Sequence, residues 1–357
     1  MSTSSRLSGT YRQSKSVQEL TVEQVHSQFV KIDSAGQDIS VVTFTENGEY
    51  LVSGGREGVR VWRAQDGKQM AVMKMEGVYC LAVSKDSRWI AAGTNWGGVL
   101  VRDAQKYEQV FAHKEPAHVV CGVDFSPDSK RLVASWKGAV TIWEVPAGRR
   151  IRTLDHDGLW VCAAKYSPQG DRIAVATSKS VRIWDSNDGR MLVKIRVQVT
   201  PYYNTGLLWS NNHLFVISDN KIKKIDASAG SVVSDCLVSV ADHTSCIALP
   251  RHGKFMAFSG RDTVTFWDTS TQTQLCLVQR YRGEHSVAFS PDDRCLAFIT
   301  RDEKITVKPL YHLIVSSEYC DCGVLNNHSH VRNLTSLSKT LPLNHGRTAN
   351  SQIRKYC

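Results

Sequence analysis

The chain lacks any apolar run near the roughly 18 residues that a membrane-spanning helix needs. Its opening residues contain no apolar segment of the kind found in a secretory signal peptide. Cysteine is sparse, with 10 residues in 357, so we expect no disulfide framework. Proline numbers only 9 and charged residues make up 22%, which excludes a proline-rich polymer and a disordered polyelectrolyte. These absences predict a soluble globular protein of a reducing compartment, either the cytoplasm or the nucleus.

The chain also lacks the long basic run that many nucleic-acid-binding proteins carry. The formal net charge is +10, and half of this excess lies in residues 1–20 and 311–357. Between these ends, 36 basic residues stand against 31 acidic ones. Nucleic acid is therefore only a minor alternative as a partner.

Recognisable catalytic and metal-binding motifs are missing as well. The sequence has no phosphate-binding P-loop, no dinucleotide-binding glycine fingerprint, no G-x-S-x-G elbow and no H-E-x-x-H pair. Cys320, Cys322, His328 and His330 have ligand chemistry suited to zinc, but their spacing is unlike that of structural zinc sites. We interpret that cluster as chance, and we predict a protein without enzymatic activity, cofactor or metal.

What the sequence does contain is a repeat. Short alternating apolar runs recur in seven units, which begin near residues 41, 80, 121, 162, 206, 246 and 286. The third run of each unit ends, in steps of 40 to 42 residues, at Trp62, Arg102, Trp143, Trp184, Ile225, Trp267 and Lys308. A two-sheet sandwich would alternate without such a long fixed period. We predict an all-β fold, a seven-bladed β-propeller of four-stranded antiparallel blades.

The predicted propeller covers residues 25–310, between a basic, serine-rich tail at 1–24 and an irregular tail at 311–357. Both tails have the composition of disordered segments. The last unit has no fourth run, so another segment must complete it. Residues 26–32 and residues 310–319 are both strand-like candidates. We favour the N-terminal segment, because it would join the two ends of the propeller in one sheet and remove an exposed edge.

The third runs end in dipeptides that resemble the closing dipeptide of WD-repeat proteins. These are Trp184-Asp185 and Trp267-Asp268, with Trp143-Glu144 and Trp62-Arg63 as weaker matches. On this resemblance the chain is identified as a divergent member of that family over about residues 25–310. The resemblance implies a non-catalytic scaffold that binds other proteins.

The resemblance also implies a structural network in each blade, in which a histidine before the first strand reaches the third-strand tryptophan through a hydroxyl and an aspartate. In repeat six the expected members are His243, Ser259, Asp262 and Trp267. In repeat four they are His156, Trp184 and a hydroxyl from Thr177 or Ser178. Repeats three and one contribute Trp143 and Trp62, respectively. Repeats one, two, five and seven lack the histidine, so their networks stay open. His156 and His243 each follow an aspartate, as in a catalytic pair, but both fall where the structural histidine belongs, and we interpret them as structural.

The loops between second and third strands, and those entering the first strands, meet at one face of a propeller, where binding residues concentrate. The candidate partner-binding residues on these loops are Arg56, Trp96, Trp136, Lys137, Lys179, Tyr202, Tyr203, Arg261 and Arg301. Trp96 and Trp136 stand at matching tips of adjacent repeats, either as exposed anchors or as packing onto a neighbouring blade. Exposed tryptophan and arginine dominate binding energy at many interfaces.

Together these features predict an interaction scaffold, monomeric by itself, whose loop face binds a segment of another protein or of a multiprotein complex. The bases on the turns favour an acidic peptide segment. The alternatives are binding of nucleic acid or chromatin through the basic turns, and an enzyme with a site in the central channel. Asp124 and Lys165 are the charged exceptions among the mostly apolar first strands that would line that channel. No membrane association is expected.

Overall fold

The structure is a computed structural model of the chain. It describes residues 30–33, 38–115, 118–199, 206–218, 221–237, 246–259, 263–271, 274–279, 286–300 and 304–310. The two predicted tails lie outside these residues and stay predictions.

The regular elements are short β-strands. In chain order they are β1 (Val30–Ile32), β2 (Ile39–Phe44), β3 (Tyr50–Gly55), β4 (Gly58–Arg63), β5 (Gln69–Lys74), β6 (Val78–Val83), β7 (Trp89–Thr94), β8 (Gly98–Asp103), β9 (Gln109–Lys114), β10 (Gly122–Phe125), β11 (Arg131–Glu144), β12 (Arg150–Tyr166), β13 (Arg172–Thr177), β14 (Ser180–Asp185), β15 (Met191–Arg196), β16 (Leu207–Ser210), β17 (His213–Ser218), β18 (Lys221–Asp226), β19 (Ser231–Leu237), β20 (Cys246–Ala248), β21 (Phe255–Ser259), β22 (Thr263–Asp268), β23 (Gln274–Gln279), β24 (Val287–Phe289), β25 (Cys295–Ile299) and β26 (Ile305–Pro309).

These strands form six antiparallel sheets. Five of the sheets have four strands each: β2 to β5, β6 to β9, β16 to β19, β20 to β23, and β24 to β26 with β1. The remaining sheet has six strands, β10 to β15. Strands that follow one another in the chain are hydrogen-bonded neighbours, so each repeat folds on itself as a meander.

The six-stranded sheet contains the strands of repeats three and four. β11 and β12 are longer than the other strands and pair with each other, with a register shift between Lys137 and Ala139. The last part of β12 pairs in turn with β13, where Ala164 lies opposite Val175. The sheet therefore carries the pairings of two successive repeats. It is compatible with seven blades, and that count stays a prediction.

The first strands of successive repeats contact one another around a ring. The contacts run from β2 to β6, β10, β12, β16, β20 and β24, and from β24 back to β2. β1 pairs antiparallel with β26, with Val30 opposite Val307 and Ile32 opposite Ile305. The N-terminal strand therefore takes the outer place of the last sheet, as predicted, and the all-β propeller architecture is confirmed.

The core lies between the sheets. Leu51 and Trp62 of repeat one pack with Ile299 and Val307 of repeat seven in one buried cluster. The other clusters likewise combine residues of neighbouring repeats. Each small sheet thus buries apolar surface that it could not bury alone, which is why the repeat folds only as a ring.

The turn between first and second strands holds one residue in the left-handed backbone region in every repeat. These residues, with φ between 50° and 80°, are Gly48, Ser87, Ser129, Gly170, Asn211, Gly253 and Asp293. In repeat three, the Ser126 hydroxyl donates to Asp128 at 2.6 Å and accepts the N–H of Arg131 at 2.9 Å. Side chains therefore satisfy the backbone of this turn, which explains the Ser-Pro-Asp sequence.

A serine or aspartate at the left-handed position also fastens the turn of the preceding repeat. The backbone N–H of Asn47 donates to Ser87 Oγ at 3.2 Å, and that of Asp86 donates to Ser129 Oγ at 3.2 Å. Asp293 is buried and accepts two such bonds, from the N–H groups of Arg251 at 2.9 Å and His252 at 3.1 Å. Asp293 thus joins repeats six and seven.

Replacing Asp293 with alanine is expected to lower the free energy of unfolding by about 1.5–3 kcal/mol, because two backbone donors lose a charged acceptor. Asp293→Asn should cost less, since asparagine keeps one acceptor oxygen and tolerates the left-handed backbone. Urea unfolding of the three proteins measures the difference. Equal stability of the alanine variant and the parent would show that the two bonds do not hold the repeats together.

Candidate interaction surface

Trp96 stands at the loop face on a turn whose backbone is tied down on both sides. Its side chain is 62% exposed. The N–H of Asn95 donates to the carbonyl of Gly77 at 3.0 Å, and the N–H of Glu115 donates to the carbonyl of Gly97 at 2.9 Å. Gly97 has a φ of 78°, and a Cβ there would collide with the Glu115 carbonyl. The indole is therefore presented to solvent by a preorganised turn.

Arg56 lies on the neighbouring turn of repeat one. Its carbonyl accepts the N–H of Gly77 at 2.9 Å, so the turns of Arg56 and Trp96 are linked through one glycine. Its guanidinium is 3.6 Å from Asp38, and both side chains are exposed. Such a surface pair contributes little to stability, and the arginine stays available to a partner. Lys179 is also exposed, on the turn between β13 and β14.

Trp136 is not at an exposed tip: of the two alternatives, packing onto the neighbouring blade is confirmed, and the assignment of Trp136 as a partner-binding residue is wrong. Its side chain is only 3% exposed. The indole Nε1 donates to Thr141 Oγ1 at 3.1 Å, and the ring meets Trp143 edge to face at 5.7 Å. The reason lies in the backbone, because β11 runs straight through the predicted tip and pairs at Lys137 with Trp160. Trp136 is thereby turned into the core.

Several predicted residues lie outside the described residues. For partner binding these are Tyr202, Tyr203, Arg261 and Arg301, and for the blade network His243 and Asp262. They stay predictions. The side chain of Lys137 is likewise outside the description.

The predicted tryptophan networks are formed only in part. In repeat one, Trp62 Nε1 donates to the buried Ser53 Oγ at 2.9 Å. Trp267 is buried, but its Nε1 has no hydrogen-bond partner among the described residues, so the bond predicted with Ser259 is absent. Trp143 is buried beside Trp136, as a third-strand tryptophan between blades should be.

In repeat four, His156 meets Trp184 directly instead of through a hydroxyl. The rings are edge to face at 5.3 Å, and the Thr177 hydroxyl donates within its own turn to the Ser180 carbonyl at 2.9 Å. The Trp184 Nε1 also has no hydrogen-bond partner among the described residues, so the predicted relay through Thr177 or Ser178 is wrong. A tight turn takes the hydroxyl of Thr177. Both ring nitrogens of His156 lack a partner in the described part of the chain. Burial, and then the nearby Arg182, lowers the pKa of His156 to about 4.

The aspartate that closes a third strand has a clear physical task. Asp185 accepts the backbone N–H groups of Asn187 at 2.8 Å and Asp188 at 3.1 Å, and these bonds lower its pKa. Asp226 makes the same bonds in repeat five, where isoleucine replaces the tryptophan, and its pKa falls to about 2. The aspartate therefore stabilises the turn into the fourth strand independently of the tryptophan.

The two charged exceptions among the first strands neutralise each other. Lys165 Nζ lies 3.0 Å from Asp124 Oδ1, and the other carboxylate oxygen accepts the N–H of Tyr166 at 2.9 Å. Both side chains are three-quarters covered. They join repeats three and four as a structural pair.

The cysteines at the starts of the first strands are buried free thiols. Cys80, Cys121, Cys162 and Cys246 are each at most 6% exposed. Burial raises the pKa of Cys121 and Cys162 to about 12, so neither forms the reactive thiolate at neutral pH. The sequence interpretation of these residues as small buried side chains is confirmed.

The opposite face of the ring contains a feature that sequence analysis missed. A cavity of about 690 Å³ is lined by Glu46, Lys85, Trp209, Leu249 and Arg251, among others. Glu46 forms ion pairs with both bases, at 3.0 Å from Lys85 Nζ and also with Arg251. The three charged residues come from repeats one, two and six, so no local pattern could have brought them together.

Comparison with known proteins agrees with this architecture. The profile of the family described as WD domain, G-beta repeat matches residues 67–103, 105–144 and 148–185. A comparison of the sequence with curated proteins gives no match.

Solved structures with the same fold were found at low sequence identity. A chain of the mitotic checkpoint complex aligns with a TM-score of 0.66 at 17% identity, over 86% of this chain and 99% of that one. The β-propeller domain of Cps50 (Swd1) from Myceliophteria thermophila aligns with a TM-score of 0.69 at 14% identity, over 79% of this chain and 99% of that one. The WD40 repeats of RRP9 align with a TM-score of 0.69 at 15% identity, over 79% and 97%.

Among the described residues there is no helix long and apolar enough to cross a membrane. Three matched repeats lie within a closed ring of antiparallel sheets, and the solved WD40 propellers share that ring. Residues 67–185 therefore contain WD repeats, in a chain that has the fold of the solved WD40 propellers.

Proposed function

We propose that the chain is a non-catalytic protein-interaction scaffold whose loop face binds an extended segment of a partner protein. Trp96 is the anchor of this surface and Arg56 attracts acidic groups of the partner. The single observation that carries the proposal is the 62% exposure of an indole on a turn that its neighbours hold rigidly. An exposed tryptophan gains much free energy on burial, and a fixed turn loses little entropy when it binds.

Three further features support the proposal. The WD40 propellers to which the chain is similar include one from the mitotic checkpoint complex, a protein assembly. Within the described residues, the charged side chains of the first strands are paired with each other and the thiols there are protonated. A catalytic centre in the channel would need unpaired groups of this kind.

Replacing Trp96 with alanine is expected to weaken partner binding by about fivefold or more, because loss of an anchor residue costs more than about 1 kcal/mol. The measurement is affinity capture from a native lysate, followed by titration of the retained protein against parent and variant. Arg56→Glu should slow association at low salt and matter less at high salt. The matched control is Val233→Ala, since Val233 is also exposed but lies on the outer strand β19.

Identical capture by the parent and the Trp96 variant would refute this surface as the binding site. Retention of nucleic acid that is released steeply by salt would instead favour the nucleic-acid alternative. A protein anchored by an indole should stay bound at both salt concentrations.

A further inference from the structure

The outer strands of the ring carry a recurrent β-bulge. Opposite the ends of six of the seven third strands, one extra residue interrupts the pairing: Met70, Val110, Ile151, Leu192, Val233 and Leu275. All six residues are apolar. A bulge protects an exposed sheet edge from unwanted pairing, but protection does not require an apolar side chain. The recurring apolar residue therefore calls for a further explanation.

On repeats three and four these bulges lie among more bases than on β5, β9 or β19. Ile151, Met191 and Leu192 are exposed by 39%, 44% and 40%. Arg152, Arg190, Lys194 and Arg196 lie beside them and are exposed. We call these seven residues the basic rim. By comparison, β5 has two exposed lysines, Lys68 just before the strand and Lys74 at its end, β9 has one lysine and a histidine, and β19 has an aspartate and no base.

The bases of the basic rim are unpaired, in contrast to their neighbours. Arg149 is 2.8 Å from Glu144 and Arg150 is 2.9 Å from Glu115. No salt bridge to Arg152, Arg190, Lys194 or Arg196 is formed within the described residues. Arg190 lies near enough to Asp185 to help lower the pKa of that carboxyl, but it forms no salt bridge with it. Bases without a bonded carboxylate can pair with an acidic ligand.

The outer strands of repeats three and four, the first part of β12 and β15, form one surface. The Arg152 side chain crosses to the turn before β15 and packs against Gly189, where a Cβ would collide with it. β15 is the last strand of its sheet, so its outer backbone groups have no strand partner in the described part of the chain. The bulge interrupts this edge only at Leu192, and residues 193–196 pair with β14 in regular register. This part of the free edge can accept a further strand through main-chain hydrogen bonds.

We propose that the basic rim docks an extended acidic segment of a partner protein, one in which carboxylates alternate with apolar side chains and which adds as a strand beside β15. The bases pair with the carboxylates, and Ile151, Met191 and Leu192 cover the apolar side chains. This surface lies on the side of the ring and does not include Trp96, so the proposal is independent of loop-face binding.

The observations favour this partner over two other anionic ones. Single-stranded nucleic acid binds on aromatic stacking platforms, and the basic rim contains no aromatic side chain. Membrane-surface binding relies on apolar side chains that protrude into the lipid, whereas these side chains are half covered on a strand edge. An extended peptide matches both the alternation and the free backbone.

The test uses the full chain and a short fluorescein-labelled peptide of alternating glutamate and valine. Parent protein is expected to bind it and not the matching peptide of alternating lysine and valine. Arg190→Glu with Arg196→Glu, and separately Met191→Ser with Leu192→Ser, should each weaken binding about tenfold or more. The matched control is Val232→Ser with Val233→Ser, at exposed apolar positions of β19, a strand that carries no base.

Hydrogen exchange gives a second measurement that separates strand addition from simple charge attraction. The glutamate peptide should slow amide exchange in β15 and leave β19 unchanged, and Trp96→Ala should not alter either result. No binding, equal loss in the control, or binding without protection of β15 would overturn the proposal. It would also be overturned if only phosphatidylserine-containing vesicles or single-stranded DNA bound through these residues.

Discussion

Trp136→Ala is expected to lower the free energy of unfolding by about 3–5 kcal/mol, whereas Trp96→Ala should change it by less than about 0.5 kcal/mol. Trp136 is buried between repeats two and three, where its ring packs on Trp143 at 5.7 Å and on His113 at 6.2 Å. Alanine would leave a large cavity and an unpaired Thr141 hydroxyl. The exposed indole of Trp96 has no comparable role in the folded state.

Guanidinium unfolding of the two alanine variants gives this comparison, with Trp136→Phe as the control. Phenylalanine keeps most of the buried ring and loses the bond to Thr141, so it should cost less than alanine, about 1–2 kcal/mol. Similar destabilisation by Trp96→Ala and Trp136→Ala would mean that the two indoles do not differ in burial as described. If only Trp136→Ala is destabilised, Trp96→Ala is a sound variant for testing the loop face. A loss of binding by Trp96→Ala could then not be ascribed to misfolding.

Acidification from about pH 6.5 to pH 4 is expected to remove about 3 kcal/mol of stability through His156 alone. Burial, and then Arg182, lowers the pKa of the folded-state imidazole from 6.5 to about 4, while Asp155 and Asp157 act in the opposite direction. In this range the unfolded chain binds a proton that the folded chain does not, so stability rises with pH. The stability associated with neutral His156 is therefore present above about pH 6.5 and is lost as the pH falls towards 4.

The difference in unfolding free energy between the parent and His156→Phe, measured from pH 7 to pH 4, isolates this contribution. Phenylalanine preserves an aromatic ring against Trp184 and cannot be protonated. His252, whose pKa burial also lowers, titrates in both proteins and cancels in the difference. The parent should lose its advantage on acidification, and His156→Gln serves as a second variant if phenylalanine packs poorly. A difference that does not vary with pH would contradict the prediction.

The sequence predicted the ring closely because its signals are local and periodic. Alternating runs, left-handed turn residues and the capping aspartates of the third strands each depend on a few neighbouring residues. The closing strand at Val30–Ile32 was also predictable, since an unfilled place in the last sheet needs a strand and the N-terminal segment has the right composition. The same rules do not determine how long β11 and β12 pair with each other, so the six-stranded sheet was not expected.

The site could be predicted only in part. Trp96 and Trp136 occupy matching places in their repeats, and nothing local distinguishes an exposed indole from a buried one. The difference arises because the backbone after Trp136 continues as a strand and Thr141 lies within reach of its Nε1, whereas two glycines follow Trp96. The His156 relay was mispredicted for a similar reason, since the hydroxyl of Thr177 serves its own turn.

By itself, the sequence predicted an all-β ring of repeats that resemble WD repeats, an N-terminal closing strand, and small buried cysteines at the starts of the first strands. Only the tertiary structure decided which indole faces solvent, which charges pair across repeats and which bases on the outer strands of repeats three and four stay unpaired. The physical reason is the range of the interactions. Turn and strand preferences act over a few residues, whereas burial and ion pairing in a ring depend on side chains from neighbouring repeats about 40 positions apart in the chain.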